Sequence, residues 1–437
     1  MWWLIGMACV GVDSDSDGTL PDTDVEADTD TDADTDTDAD TDTDTATDTD
    51  TDTDTDELDD EARFRLLLEG KASVGDTLAA IAASDGFPVH TAADTWLFLA
   101  NGTGWRLAGD HNGWTLDAMT DGAGFSWAEV TVAEPDGSLY KFVDSGGLYG
   151  PDPWARSYFY DNFGEYSLVE PTADVPRLDR WPGVTNGVLL PRTVRVYVPA
   201  GAGPYPVLYA HDGQNLFDPG ARFGYWRLQE AALDTDRMLI VGIDNTADRM
   251  SEYTHVDDTI DGTSFTAAGD DYADLVVNEV MPLVEAEYGS TGLDGLLGSS
   301  LGGLISLYIA DQYPGTFDFA ASMSGTLGWG RFGQANPTIG ERYIDEGRRD
   351  FAIYVDSGGS DGGDGCVDVD GDGFPFDDPN DADNYCANRW FADEMAELGY
   401  LYGVDLAHWH AYGATHDEAA WAARVSRPLA MFASLDD

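Results

Sequence analysis

The segment Gly298-Ser299-Ser300-Leu301-Gly302-Gly303 constrains this chain most. It follows a short apolar run, Leu293 to Leu297, and leads into a helix-like run from Leu301 to Tyr313. A serine flanked by glycines between a strand and a helix sits on a turn so sharp that larger neighbours collide. The chain must therefore place a strand whose carboxyl end opens straight into a helix.

The surrounding pattern agrees. From about Arg192 onward strands alternate with helices. Strands are expected at Thr193–Val198, Val207–His211, Met238–Ile243, Leu293–Leu297, Phe317–Met323, Phe351–Val355 and Val404–His408. Helices are expected at Trp226–Leu233, Tyr272–Tyr288, Leu301–Tyr313, Ala387–Leu398 and Glu418–Phe432. Alternation of this kind builds a mostly parallel sheet with helices on both faces, and ligands bind beyond the carboxyl ends of its strands. The fold class is α/β, and residues 173–437 form this domain.

Before it, residues 61–172 read as mostly β. A helical lead-in, Ala62 to Ala83, precedes alternating runs at Thr95–Leu99, Trp105–Ala108, Phe125–Val132 and Leu139–Val143. Short strands separated by Gly/Asp/Asn turns describe a small β-sandwich. Residues 12–60 are dominated by Asp and Thr, with too few apolar side chains to offset chain entropy, so they are expected to be a disordered, extended linker. Residues 1–11 hold a short apolar run ending at Ala8-Cys9. That run resembles a lipoprotein-type signal with Cys9 as the lipidation site, although it lacks a basic start and is very short.

The chain carries 83 Asp plus Glu against 21 Lys plus Arg, a formal charge of −62, and Lys71 and Lys141 are its only lysines. Nucleic acid is excluded as a partner, because phosphate contacts need a basic footprint. A membrane is expected to be met only through the lipid anchor. The setting is then exported, at the cell envelope or surface, or otherwise secreted or periplasmic. Cys366 and Cys386 remain as one disulfide in an exported protein, or as two free thiols in a cytoplasmic one.

A serine hydroxyl becomes a nucleophile when a base takes its proton and a third group orients that base. Of seven histidines, His416 lies in a Gly-containing loop just before the last helix, whereas His408 and His410 lie on a strand. For the acid, Asp361 follows the glycines after strand Phe351–Val355, with Asp356 as its rival at the strand's end. The order Ser300, Asp361, His416 is that of α/β-hydrolases. The amide of Leu301, at a helix N-terminus, is one oxyanion donor, and a second is expected from the loop Asp212–Asp218.

These residues carry a family resemblance. His211-Asp212-Gly213-Gln214-Asn215-Leu216-Phe217-Asp218, the Ser300 turn and His416-Asp417-Glu418-Ala419-Ala420-Trp421 together resemble the putative esterase family, which includes enterochelin esterases, S-formylglutathione hydrolases, and feruloyl and acetylxylan esterases. The resemblance spans about Arg192 to Ala433. It implies an α/β-hydrolase fold, Ser300 as nucleophile, His416 as base, Asp361 as acid, and the amide of Gln214 beside that of Leu301 in the oxyanion hole. Asp218 and Trp226 match a structural feature of the same loop. In the β-region, Leu107–Trp114, Trp127 and Tyr140–Val143 resemble the immunoglobulin-like modules of the carbohydrate-binding family 48 type. Related domains precede the catalytic domain of enterochelin esterases. Trp114 and Trp127 are expected in the core of that sandwich.

The chain departs from the family by inserting Gly362 to Cys386, which holds Asp368, Asp370 and Asp372 at alternate positions before Gly373, then Asp378, Asp381 and Asp383. Alternating carboxylates before a glycine suit a calcium ion, and the segment resembles the Asp-rich repeats of thrombospondin type 3 modules. Calcium here is structural; catalysis needs no cofactor. The reading is an exported serine esterase acting on a small-molecule or glycan ester. Enterochelin-esterase-like chemistry leads, with a feruloyl or acetylxylan-type carbohydrate esterase as the alternative. The rival from another class is a non-catalytic, calcium-dependent polysaccharide-binding lipoprotein.

Overall fold

The computed structural model describes residues 58–436, apart from 236, 364, 370, 372 and 376–380. The readings of Cys9, of residues 1–11 and of the linker up to residue 57 lie outside these residues, as do those of Asp370, Asp372 and Asp378. Among the described residues no helix is long and apolar enough to cross a membrane.

The C-terminal region is built on eight strands: β1 (Arg177–Val184), β2 (Arg192–Val198), β3 (Tyr205–His211), β4 (Leu239–Ile243), β5 (Ser290–Ser299), β6 (Phe319–Met323), β7 (Ala352–Ser357) and β8 (Leu406–His410). Their order is β8-β7-β6-β5-β3-β4-β2-β1. Strands β3 to β8 pair in parallel, and β2 runs antiparallel to both β1 and β4. This is an α/β-hydrolase sheet. Each of the seven strands expected after residue 192 is present.

Continuous apolar runs explain the parallel strands. Every residue of β3 and β4 is buried, which requires cover on both faces. Alternation then sorts the side chains: Val207 and Tyr209 enter the core under one face, while Leu208 and Ala210 enter the core under the other. Each such large side chain, fully buried, stabilises the fold by about 1.5–3 kcal/mol. Helices α1 (Leu228–Leu233), α2 (Leu301–Gln312), α3 (Tyr385–Glu397) and α4 (Glu418–Ala422) bear on the site below. The expected helix Glu418–Phe432 is two, α4 and Ser426–Ala433.

The N-terminal region is a β-sandwich. One sheet contains Trp96–Asn101 and Phe125–Val130, and Phe98 and Ala100 pack from it toward Leu107, Tyr140 and Phe142 of the other. Its outer face, through Leu97, Leu99 and Phe125, is covered by Phe64 and Leu78 of the two lead-in helices. Trp127 packs at the edge of that second cluster. Trp114 is not a core residue as expected: it is half-buried, lies edge-on to Tyr166 at 5.5 Å and donates to Asp110 Oδ1 at 2.8 Å.

The expected division at 172–173 is crossed by backbone pairing. Strand Ser157–Asp161 pairs antiparallel with β1, with Leu178 opposite Tyr158, so one sheet runs through both regions. Tyr158, Leu178 and Tyr197 also share a core with the hydrolase strands. Buried Asp179 accepts from Ser157 Oγ at 2.6 Å and Tyr288 Oη at 3.1 Å. β1 was not read from the sequence because Pro182 interrupts it, and its register slips between Trp181 and Val184.

Candidate active site

Ser300 stands between the end of β5 and the start of α2 with φ 56° and ψ −123°, a conformation that costs a non-glycine residue energy and is held only by its surroundings. A Cβ on Gly298 would overlap the backbone of Gly302, and one on Gly303 would overlap Ser322 Oγ. Glycine is therefore required at both positions for the turn to close. The Ser300 N–H donates to Met323 O at 2.9 Å, and Thr326 N–H donates to Ser300 O at 3.0 Å. Ser300 Oγ lies 3.2 Å from Thr326 Oγ1.

His416 lies in the loop between β8 and α4, and its Nδ1 is 2.6 Å from Asp383 Oδ1. The other oxygen of Asp383 accepts from Ser324 Oγ at 2.7 Å and from Gly358 N–H, with Arg424 Nη2 at 3.7 Å. Both side chains are well buried, 15% and 3% exposed, and the His416 ring stands edge-on to Trp421 at 5.1 Å. A carboxylate against one imidazole nitrogen fixes the tautomer and frees the other nitrogen to act as base.

Asp361 is therefore not the partner of His416. It sits in the turn after β7, where its Oδ1 accepts from Gly363 N–H at 2.8 Å. The carboxylate that meets His416 comes at the end of the insertion, just before α3, although the Asp spacing places Asp383 among the expected calcium ligands. The rival Asp356 is fully buried against Arg424 Nε and Tyr354 Oη, each at 3.0 Å. Burial pushes its carboxyl up to about 6 against the pull of Arg424. The other histidines of this region have separate settings. Burial pushes His408 down to about 4 and His211, which contacts Tyr272 Oη, down to about 3. His410 Nε2 contacts Gly359 O at 3.1 Å.

The oxyanion loop is built from β3. Asp212 takes a left-handed conformation and its buried carboxylate receives both nitrogens of the Arg249 fork at 2.7 and 2.8 Å. Burial works against the charge, but Arg249 and Asn245 hold the carboxyl below its usual range. Asn245 N–H donates to Gln214 Oε1 at 3.0 Å, which fixes the residue whose amide was expected in the oxyanion hole. Gly302 lies against this loop, where an added Cβ would stand 3.4 Å from Asp212 and from His211. The N–H of Leu301, first residue of α2, has no acceptor within its own helix. Asn215 Nδ2 donates to Glu418 Oε1 at 3.3 Å and so ties the loop to α4. Burial pushes Glu418 up to about 7. Asp218 accepts from Gly220 N–H at 2.7 Å, and buried Trp226 packs on Trp421 at 5.9 Å.

A cavity of about 230 Å³ adjoins this loop, lined by Gln214, Asn245, Phe223, Arg195, Arg222 and Arg249. Arg195 is paired with Asp244 at 2.8 Å and Arg249 with Asp212, so the charges of these two side chains are already balanced within the wall.

In the inserted segment Cys366 and Cys386 form a disulfide. Asp368 accepts from the N–H groups of Gly371 and Gly373, and Asp381 from that of Cys386. Asp383, assigned to His416, leaves the expected calcium set. Among the described residues no group of three or more His, Cys, Asp or Glu is placed to hold a metal ion.

Residues 188–432 match the family described as "Putative esterase". The chain belongs to the putative esterase family. Over 150 residues, 31% of its length, it is 30% identical to the "Uncharacterized protein YbbA" of Bacillus subtilis (strain 168), and it spans 57% of the length of that curated relative. The enterobactin esterase FES of Shigella flexneri is similar in structure at 14% identity and a TM-score of 0.44, over 78% of this chain and 93% of that one. An IroE-like serine hydrolase from Shewanella oneidensis is similar at 20% identity and a TM-score of 0.45, over 58% and 80%. The Ser300 turn, the His416 loop and the loop after β3 all stand at the carboxyl ends of the parallel strands.

Proposed function

We propose that this protein hydrolyses carboxylic esters through an acyl-enzyme on Ser300. Ser300 Oγ exchanges its contact with Thr326 for His416 Nε2, gives up its proton to that nitrogen and attacks the ester carbonyl. Asp383 stabilises the imidazolium that forms. The amides of Leu301 and Gln214 receive the developing oxyanion, a contribution of about 3–4 kcal/mol to the barrier for one donor. His416 then protonates the leaving alcohol, and water, activated by the same nitrogen, releases the acid. The observation that carries the reading is the 2.6 Å contact of His416 with a buried carboxylate, on the face where the Ser300 turn opens.

The acidic composition supports the carbohydrate-ester alternative over a large anionic siderophore. With a formal charge of −62, the chain would repel a polyanionic ligand. The Cys366–Cys386 disulfide supports an oxidising compartment and hence export.

Labelling with a fluorophosphonate probe tests the nucleophile: the folded protein is expected to label and Ser300→Ala is not. Labelling that is absent, or equal in both, would remove the enzyme reading and favour the binding-protein rival. A panel of acetylated sugar, feruloyl-sugar and acyl-thioester substrates then ranks the leaving group, with acetylated sugar expected to be cleaved fastest.

A further inference from the structure

Asp383 sits in a turn that no glycine relieves. Asp383 and Asn384 adopt φ values of 57° and 56°, a left-handed conformation that disfavours residues with a Cβ. The turn is held from several sides. Asn384 Nδ2 donates to Ser324 O at 2.9 Å, Ala382 N–H to Ser360 O at 3.2 Å, and Cys386 N–H to Asp381 Oδ1 at 3.0 Å. Cys386 itself is fully buried in the first turn of α3 and is bonded to Cys366, 20 residues earlier. The covalent tie thus lies three positions beyond the carboxylate that meets His416. Between the two cysteines the sequence is rich in Asp, with few side chains able to form a core of its own.

We propose that the Cys366–Cys386 bond is a positioning element of the active site: it holds the turn from Asp381 to Asn384 so that Asp383 faces His416, and hydrolysis depends on its being closed. The inference rests on Asp383 being the carboxylate partner of His416 in the reaction. Opening the bond takes a dithiol reductant. The reductant gives two electrons and two protons and closes to its own disulfide, while Cys366 and Cys386 each become a thiol. Attack falls on the sulfur of half-buried Cys366, since Cys386 is enclosed.

The experiment uses the full chain, oxidised and after dithiothreitol treatment, with free thiols counted and circular dichroism confirming the fold. The substrate is p-nitrophenyl acetate. Reduction is expected to lower kcat by about 100-fold, the scale of a small misplacement of a catalytic group, with KM moved less than about twofold. Reoxidation should restore it. A Cys366→Ser/Cys386→Ala variant should match the reduced protein; if it fails to fold, the reduced native chain below its melting temperature carries the test. In an Asp383→Asn background, reduction should leave the residual kcat unchanged, because the two changes act through one carboxylate. A gain of two free thiols on reduction, with an intact fold and an unchanged kcat, would overturn the proposal. An Asp383→Asn protein as active as the native one would instead overturn the assignment of the acid, whatever the disulfide does.

Discussion

The residues at the two turns, Ser300 and Asp383, share a positive φ, 56° and 57°, yet the turns are held in different ways. Around Ser300 the steric room is local, since glycines two before and three after let the strand fold straight into the helix. Met323 and Thr326, at and after the end of β6, hold the turn by backbone hydrogen bonds. Around Asp383 the restraint is remote. Its partners Ser324 and Gly358 lie 59 and 25 residues away in sequence, and Arg424 comes from beyond α4. The room for one half of the site is written into six residues, and the other exists only when four segments meet.

Substitutions that treat the two turns alike should expose that difference. The largest effect is expected from Ser300→Ala, which should reduce kcat by about 10⁶-fold while the melting temperature stays within about 2 °C. A residual activity above that level would place the nucleophile elsewhere. Next, Asp383→Asn should lower kcat by about 10⁴-fold through loss of the imidazole's orientation, while Asp361→Asn should leave it within about twofold. Equal losses for both would return the acid to the residues just after β7. Gly298→Ala should destabilise the fold by about 1–3 kcal/mol, read as a lower midpoint in urea, because its methyl has no space beside Gly302. A neutral result would mean that the Ser300 turn is less local than its glycines suggest.

The smallest effect concerns the tie between the two halves, Glu418 against Asn215. Its carboxyl, ordinarily near 4.5, is raised to about 7, chiefly by burial, so the folded chain binds this proton more tightly than the unfolded chain does. The contribution to stability is full below about pH 4.5 and fades as pH rises through about 7. Glu418→Gln should flatten the fall in melting temperature over that window, by a few degrees at most. An unchanged slope would show that Glu418 does not hold the proton that its burial implies.

The strands after residue 192 and the place of Ser300 and His416 were legible because each rests on a pattern within about a dozen residues. Apolar runs give strands, and a glycine-flanked serine gives its turn. The acid was not legible. Asp383 stands in an Asp-rich stretch where many carboxylates look equivalent, and its one distinguishing mark, an Asp-Asn pair directly before α3, gains meaning only when His416 comes alongside. The joining of the two regions into one sheet was missed for a related reason. The pairing of Ser157–Asp161 with β1 depends on register across a linker, and β1 carries a proline that argues against a strand.

By itself the sequence determined the α/β layering, the glycine-flanked turn at Ser300 and the loop that carries His416, since these follow from side-chain periodicity and from steric limits between near neighbours. The tertiary structure alone decided which carboxylate serves His416, and that one continuous sheet carries both regions. A charge finds its partner, and a strand its neighbour, through contacts between segments far apart in the chain, where distance and burial rather than order along the sequence set the interaction.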